Sequence, residues 1–228
     1  MGDASSGSGI GILNSILLTL FIAIIGYSIQ YIFFRSYFTS ISSQNSLLFR
    51  LVRMVFGYLL ITYFYIRLTK KSIINYGFKI NNRQDFTLSM ILGILTYLVP
   101  SYYFIQNSIF VSQWYGKESH VVFLSFIYIS IMAAITDFWT RGYILLQLDD
   151  FYGSKIAILG QNLIWFFIHL YEIDLLTPYI GLFNSILLTL FLGIAGDLIV
   201  LKYRNVTGLI FGHIFLNLFI ILKGLNFI

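Results

Sequence analysis

The sequence predicts an all-α fold: a polytopic membrane helix bundle of about seven transmembrane helices. Of the 228 residues, 58% are hydrophobic and only 10% are charged. The mean hydropathy of +0.85 is too high for a soluble globular chain. With about 20 residues needed for each spanning helix, the chain has room for about seven spans and short loops. We therefore expect residues 1–228 to form a single transmembrane domain.

The spans are expected where long apolar runs have only weak polar interruptions. Each run is long enough to cross the hydrocarbon layer, which predicts an integral, multi-pass membrane protein. The runs are at about residues 10–34, 50–68, 86–106, 120–148, 155–176, 180–201 and 205–222.

Basic residues between the predicted spans indicate the orientation of the chain. They are concentrated in three basic loops, residues 67–85, 149–155 and 202–204, which the positive-inside rule places in the cytoplasm. The turn at 172–178 contains acidic residues and no Lys or Arg, as expected on the outer side. The exceptions to this arrangement are three arginines: Arg35, Arg50 and Arg53.

The composition also excludes several classes of function. The chain has no cysteine, so disulfides, thiolate catalysis and cysteine-ligated metals are excluded. The net charge of +5 is explained by the loops that set the topology, and we expect no nucleic-acid partner.

Ionisable and amide side chains occur inside the predicted spans, where their usual role is functional. Counted from the expected cytoplasmic edges, at about 1.5 Å per residue, four of them share a slab roughly 12–22 Å deep. None would be tolerated facing lipid, so they should face one another. The sequence therefore predicts a polar cavity open toward the cytoplasm. The four residues are Asp137, His169, His213 and Asn217.

Two short motifs include three of these residues. Trp165 and His169 form an aromatic-x-x-x-His motif, and His213 and Asn217 form a His-x-x-x-Asn motif. With these motifs the chain resembles the CAAX protease and bacteriocin-processing family of intramembrane proteases, which includes the CAAX prenyl endopeptidase. The resemblance covers about residues 86–222.

The family's first motif, Glu-Glu-x-x-x-Arg, is matched imperfectly. The chain has Thr136 and Asp137 in place of the two glutamates, followed by Arg141. The hydroxyl of Thr136 has no useful basicity near neutral pH, so Asp137 is the only acid left in the motif.

The resemblance implies that water attacks a peptide bond near the cytoplasmic side. It implies that an acid and His169 activate the water, while His213 and Asn217 stabilise the oxyanion. The expected catalytic residues are Asp137, His169, His213 and Asn217, with supporting roles for Thr136, Arg141 and Trp165. We expect no cofactor, membrane lipids as surroundings, and as partner a peptide or protein substrate at the membrane, including a lipid-modified one.

Each of these residues also has a structural interpretation. Asp137 and Arg141 are four positions apart, the spacing of an ion pair that would organise the cavity. His169 could be hydrogen-bonded to a neighbouring helix, and His213 with Asn217 could clamp two helices together.

Two further acids and a metal site stay open at this point. Glu172, one turn beyond His169, either replaces the missing acid or belongs to the outer turn. Asp197 could pair with Arg141 or with Lys202. Asp137, His169 and His213 could alternatively form the three-ligand shell of a catalytic zinc, although the resemblance favours metal-free chemistry.

Two functions from different classes fit these observations. The first is a membrane-embedded endopeptidase in which Asp137 replaces the usual glutamate. The second is a protease-like protein that has lost its base and binds a peptide or partner without cleaving it, as in an immunity role.

Overall fold

The computed structural model describes most of the chain and confirms the all-α class. Within its ranges the chain forms helices and no β-strand, apart from one isolated antiparallel bridge between Phe78 and Asn205. The predicted first span, about residues 10–34, lies outside these ranges except for four isolated positions. The described residues are 44–68, 70–104 and 119–224, together with Leu13, Leu17, Phe21 and Ile25.

The helices agree closely with the predicted apolar runs. In chain order they are α1 (Gln44–Met54), α2 (Ile61–Leu68), α3 (Arg83–Phe104), α4 (Ser119–Asp137), α5 (Leu146–Tyr152), α6 (Ser154–Ile168), α7 (Leu170–Ile180), α8 (Leu182–Tyr203) and α9 (Thr207–Gly224). Two π-helical segments interrupt longer helices: π1 (Val55–Leu60) joins α1 to α2, and π2 (Phe138–Leu145) joins α4 to α5. A short 3-10 turn lies at Ile73–Asn75.

Several helices are long and apolar enough to cross a membrane. In the described part of the chain there are three: Leu47–Leu68, His120–Tyr152 and Leu182–Tyr203. The bent pair α6 and α7, whose axes differ by 63°, makes a fourth if it is counted as one span. The helices α3 and α9, at the predicted third and seventh spans, are not among them. The chain is thus a multi-pass membrane protein, and the number of seven spans stays a prediction.

The prediction of an outer turn at 172–178 is wrong, because these residues are helical within α7. The helix break falls earlier, at His169, whose backbone φ of −101° and ψ of 8° are not helical. The turn itself comes later, at Gly181, whose φ of 81° is a conformation that glycine adopts without steric cost. Glu172 and Asp174 therefore lie on a helix, and their location on the outer side of the membrane stays a prediction.

The three basic loops lie together at one end of the bundle. Arg204 pairs with Asp149 at 2.7 Å and with Asp150 at 2.5 Å. The side-chain amide of Asn205 donates a hydrogen bond to the carbonyl oxygen of Lys79, at 3.1 Å. Because the three loops lie on the same side of the bundle, they agree with the positive-inside pattern. Their cytoplasmic location stays a prediction.

Glycines allow α3 and α9 to pack in close contact. A Cβ atom at Gly93 would overlap the backbone of Gly208, and one at Gly212 would overlap the backbone of Gly93. Small residues at such crossings let membrane helices approach closely. This contact fixes the position of Tyr97 on α3 relative to His213 on α9.

We expect the Gly93→Ala variant to be less stable than the wild type. The added methyl group meets backbone atoms that cannot move aside, and overpacking of this kind costs about 1–3 kcal/mol. The matched control is Gly160→Ala in α6, where the nearest atom is the mobile Leu148 Cδ1 at 3.2 Å. That variant should be as stable as the wild type or more so, because alanine favours helices by about 1 kcal/mol over glycine. Thermal unfolding in detergent, followed by circular dichroism, compares them; equal midpoints for both variants would contradict the close contact.

Candidate active site

The buried ion pair predicted from the i,i+4 spacing is present. Asp137 is the last residue of α4, Arg141 lies one turn later in π2, and their side chains pair with no exposure to solvent. From α3, the Tyr97 hydroxyl donates to the Asp137 carboxylate at 3.0 Å and accepts a hydrogen bond from Arg141 Nη1 at 3.1 Å. A pair of charges in a membrane interior requires this kind of additional hydrogen bonding.

Arg141 also joins this pair to two other helices. Its Nη2 donates to the Leu192 carbonyl oxygen of α8 at 2.8 Å, and its guanidinium lies 3.9 Å from the Trp165 ring centroid of α6. Its Nε lies 3.4 Å from Asp197 Oδ1, so Asp197 is close to Arg141, one of its two predicted partners. A Cβ atom at Gly196 would lie 2.6 Å from this Nε, so glycine is what lets the guanidinium approach α8.

Two hydrogen bonds join α6 to α8 beside the arginine. Asn162 Nδ2 donates to Asp197 Oδ2 at 2.7 Å, and Trp165 Nε1 donates to the Thr189 carbonyl oxygen at 3.0 Å. Trp165 is therefore held at both its indole nitrogen and its ring face.

His213 is held by Asp137 on one side of its ring. Its Nδ1 lies 3.0 Å from Asp137 Oδ2, and its ring stacks on Tyr97 with a centroid distance of 4.5 Å. A carboxylate paired with arginine only accepts hydrogen bonds, so the His213 Nδ1 has the hydrogen. The Nε2 atom is then the nitrogen available to a substrate.

His169 lies at the break between α6 and α7. Its Nδ1 is 2.8 Å from the Trp165 carbonyl oxygen, and its ring packs against the Trp165 ring at 3.9 Å. Because a carbonyl oxygen only accepts, Nδ1 must have the hydrogen in this contact. In the neutral imidazole, Nε2 therefore has the free lone pair.

Both histidines line one cavity of about 160 Å³. The predicted site residues His169, His213, Asn217 and Thr136 meet here, whereas Asp137 is not among the lining residues and reaches the cavity only through His213. The polar lining side chains are Arg50, Arg53, Tyr58, Thr136, His169, Glu172, His213 and Asn217.

Most of this cavity lies in the half of the bundle away from the basic loops. His169, Arg53 and Thr136 are each about 15 residues along their helices from those loops, which corresponds to roughly 22 Å. The predicted opening of the cavity toward the cytoplasm is therefore not confirmed. Arg50 and Arg53, which do not fit the loop pattern, lie within the helix Leu47–Leu68 and line the cavity instead.

Some residues of the site were not found from the sequence. Tyr97 is one of 17 tyrosines, and nothing in its local sequence distinguishes it from lipid-facing aromatic residues. Arg50 and Arg53 did give a signal, because their positions conflict with the positive-inside pattern. Glu172 was noted as an acid, and the helical geometry of α7 is what brings it to the cavity wall.

The described residues give no support to a zinc site. Within 44–68, 70–104 and 119–224, no group of three His, Asp or Glu side chains is placed to hold a metal ion. The chemistry of the cavity without a cofactor remains a prediction.

Comparison with known proteins gives one match. A family model, the type II CAAX prenyl endopeptidase Rce1-like family, matches residues 118–219. The match begins at the start of α4 and ends within α9, so it includes all three motifs. No curated protein and no solved structure matches the chain.

We expect the Arg141→Ala variant to be strongly destabilised. It leaves the Asp137 carboxylate buried without its cation, which typically costs about 3–5 kcal/mol. The matched control is Arg204→Ala, since Arg204 pairs with partly exposed aspartates and such pairs contribute about 0–1 kcal/mol. Unfolding by SDS titration in mixed micelles measures both. Similar losses of stability in the two variants would contradict the central role of the buried pair.

Proposed function

Because the chain belongs over residues 118–219 to the Rce1-like family of type II CAAX prenyl endopeptidases, we propose that it is an intramembrane endopeptidase. One observation supports the proposal most directly: His169, at the break between α6 and α7, lines the same small cavity as His213 and Asn217 of α9. Imidazole and amide groups at such depth are costly unless they are used or hydrogen-bonded to one another.

In the proposed reaction, His169 holds the attacking water. The lone pair on its Nε2 accepts a hydrogen bond from the water, and the Trp165 carbonyl keeps the ring in the tautomer that allows this. The water oxygen forms a bond to the carbonyl carbon of the scissile peptide, and the π electrons move onto the carbonyl oxygen.

The oxyanion is then stabilised on the other side of the cavity. The Asn217 side-chain amide donates to it, and so does the His213 Nε2–H when the ring is protonated. The base that activates the water takes one proton from it, and this proton passes to the departing nitrogen as the carbon–nitrogen bond breaks, which yields a new carboxyl terminus and a new amine.

Asp137 is a positioning residue in this mechanism. Its carboxylate orients the His213 ring through Nδ1, while Arg141 and Tyr97 also donate to it. The catalytic contribution expected of Asp137 thus reaches the substrate through His213.

The proposed substrate is a peptide or protein segment at the membrane, including a lipid-modified one, and the reaction uses water without a cofactor. A segment that enters from lipid or from a membrane face must be extended to reach the cavity, because a helix satisfies its own backbone groups and shields the peptide bond. We propose that cleavage occurs at the depth of His169 and His213, inside the helix bundle, and the expected location near the cytoplasmic side stays a prediction.

Thr136 favours a second candidate function. It lines the cavity at the position where the family resemblance has a glutamate, and its hydroxyl is no base. The alternative is a catalytically inactive protein that binds a peptide or partner in this cavity, as in an immunity-type role.

We expect the His169→Ala and His213→Ala variants each to abolish cleavage while the protein still folds. Comparing protein termini by mass spectrometry, in cells with the wild type, each variant or no protein, reveals any cleavage that depends on the chain. The control is His120→Ala, which removes the chain's third histidine, an exposed one at the start of α4. Full cleavage by both cavity variants would rule out the proposed chemistry.

The Thr136→Glu variant separates the two candidate functions. If the wild type is an inactive binding protein that lacks only a base, this variant should gain new protein termini that the wild type does not produce. If the wild type is already a peptidase, Thr136→Glu should leave its set of cleavage sites unchanged. The same terminal analysis measures both results.

A further inference from the structure

Glu172 is an acid at the cavity that the family's motifs do not include. It lies in the first turn of α7, one turn beyond His169, and it lines the same cavity as Thr136, His213 and Asn217. Its Oε2 atom is buried and has no hydrogen-bond partner among the described residues. A buried acceptor without a partner is costly, and in a membrane interior its usual explanation is a function.

The ionisable groups around Glu172 fit a water-activating role. Its carboxylate lies close enough to His169 and Tyr58 to interact with both electrostatically. Two cations on α1, Arg50 and Arg53, line the same cavity. The ionisable side chains that share the cavity with Glu172 are Arg50, Arg53, Tyr58, His169 and His213.

Asp137 is poorly placed for the same role. One carboxylate oxygen accepts from Arg141 and Tyr97, and the other accepts from His213. Taking a proton from water would weaken the buried pair with Arg141, and Asp137 does not line the cavity.

We propose that Glu172 is the general base of this site and replaces, from α7, the acid that Thr136 of α4 does not supply. The inference rests on the proposed peptidase function. Both positions line one cavity, so the carboxylate reaches the same space from a different wall.

Protons and electrons balance in this step. Glu172 takes one proton from a water that His169 Nε2 also holds, and the water oxygen forms its bond to the peptide carbonyl carbon. The carbonyl π pair moves to oxygen, then returns as the carbon–nitrogen bond breaks. The proton on Glu172 passes to the departing nitrogen, which regenerates the carboxylate.

The test compares Glu172→Gln with Asp174→Asn, an exposed acid two residues later in the same helix. The probe is a synthetic peptide spanning the most abundant cleavage site that depends on the wild type in cells, assayed with purified full-length protein in detergent. Glu172→Gln should lower kcat by about 100-fold or more with little change in KM, as expected when a general base is lost. Asp174→Asn should have wild-type kcat.

Two further measurements separate catalysis from structure. Glu172→Gln should unfold at the wild-type temperature in detergent although its kcat falls, because the amide keeps the size of the side chain but cannot take a proton from water. Adding Thr136→Glu to the Glu172→Gln variant should restore at least part of the lost rate, because a carboxylate is returned to the same cavity. A purely structural role would give neither result.

The outcomes distinguish the role of Glu172 from the peptidase function on which it rests. If no cleavage depends on the wild type, the peptidase function fails and the inference fails with it. If the wild type cleaves and His169→Ala does not, but Glu172→Gln keeps its rate, only the role of Glu172 is overturned. If Glu172→Gln does not fold, the Glu172→Asp variant is measured in its place. This variant keeps the charge but moves the carboxylate away from the cavity by one methylene group. A wild-type rate in Glu172→Asp also overturns the inference.

Discussion

The ion pair between Arg141 and Asp137 is the interaction on which the cavity depends. A guanidinium in a membrane interior must have its charge and its donors satisfied by the protein, because lipid offers neither. Arg141 meets this requirement through contacts with α3, α4, α6 and α8, namely with Tyr97, Asp137, Trp165 and the Leu192 carbonyl. Each contact restricts the position of one helix. One buried residue, Arg141, therefore fixes the relative positions of four helices near His169 and His213.

The polar groups of the site are of two kinds. Some have their hydrogen-bonding atoms paired with other residues, and others keep an acceptor atom that can still bind a proton. The carboxylate of Asp137 is occupied by Arg141, Tyr97 and His213, which makes it a scaffold for His213. By contrast, His169 uses only its Nδ1 in a hydrogen bond, to a carbonyl oxygen, and the lone pair on its Nε2 stays available. Glu172 has a carboxylate oxygen without a hydrogen-bond partner among the described residues. Chemistry requires groups of the second kind, because a proton can be accepted only where a lone pair is open.

Features that depend on short-range spacing could be predicted from the sequence. The apolar runs gave the helices, and the i,i+4 spacing of Asp137 and Arg141 gave their pairing. Tyr97 could not be found in this way, because its stacking on His213 depends on the glycine crossing of α3 with α9. The place of Glu172 depends on a 63° bend at His169, inside the apolar run at about 155–176 that was predicted as a single span. Hydrophobic periodicity gives the length of a helix but not its direction after a break.

The residues that hold the cavity together are different from the residues proposed to react. The general base can therefore come from α7 although the family resemblance has it on α4. The Arg141 network holds the cavity through α3, α4, α6 and α8, and Thr136 is joined to this region through the hydrogen bond that its carbonyl oxygen accepts from Thr140. Loss of a carboxylate at position 136 therefore leaves the walls and both histidines in place. A carboxylate from α7 needs only to reach the water beside His169, and Glu172 lies one turn from that ring. In the proposed mechanism Glu172 supplies the base from α7 in place of position 136, while the buried Arg141 holds together the helices around the cavity.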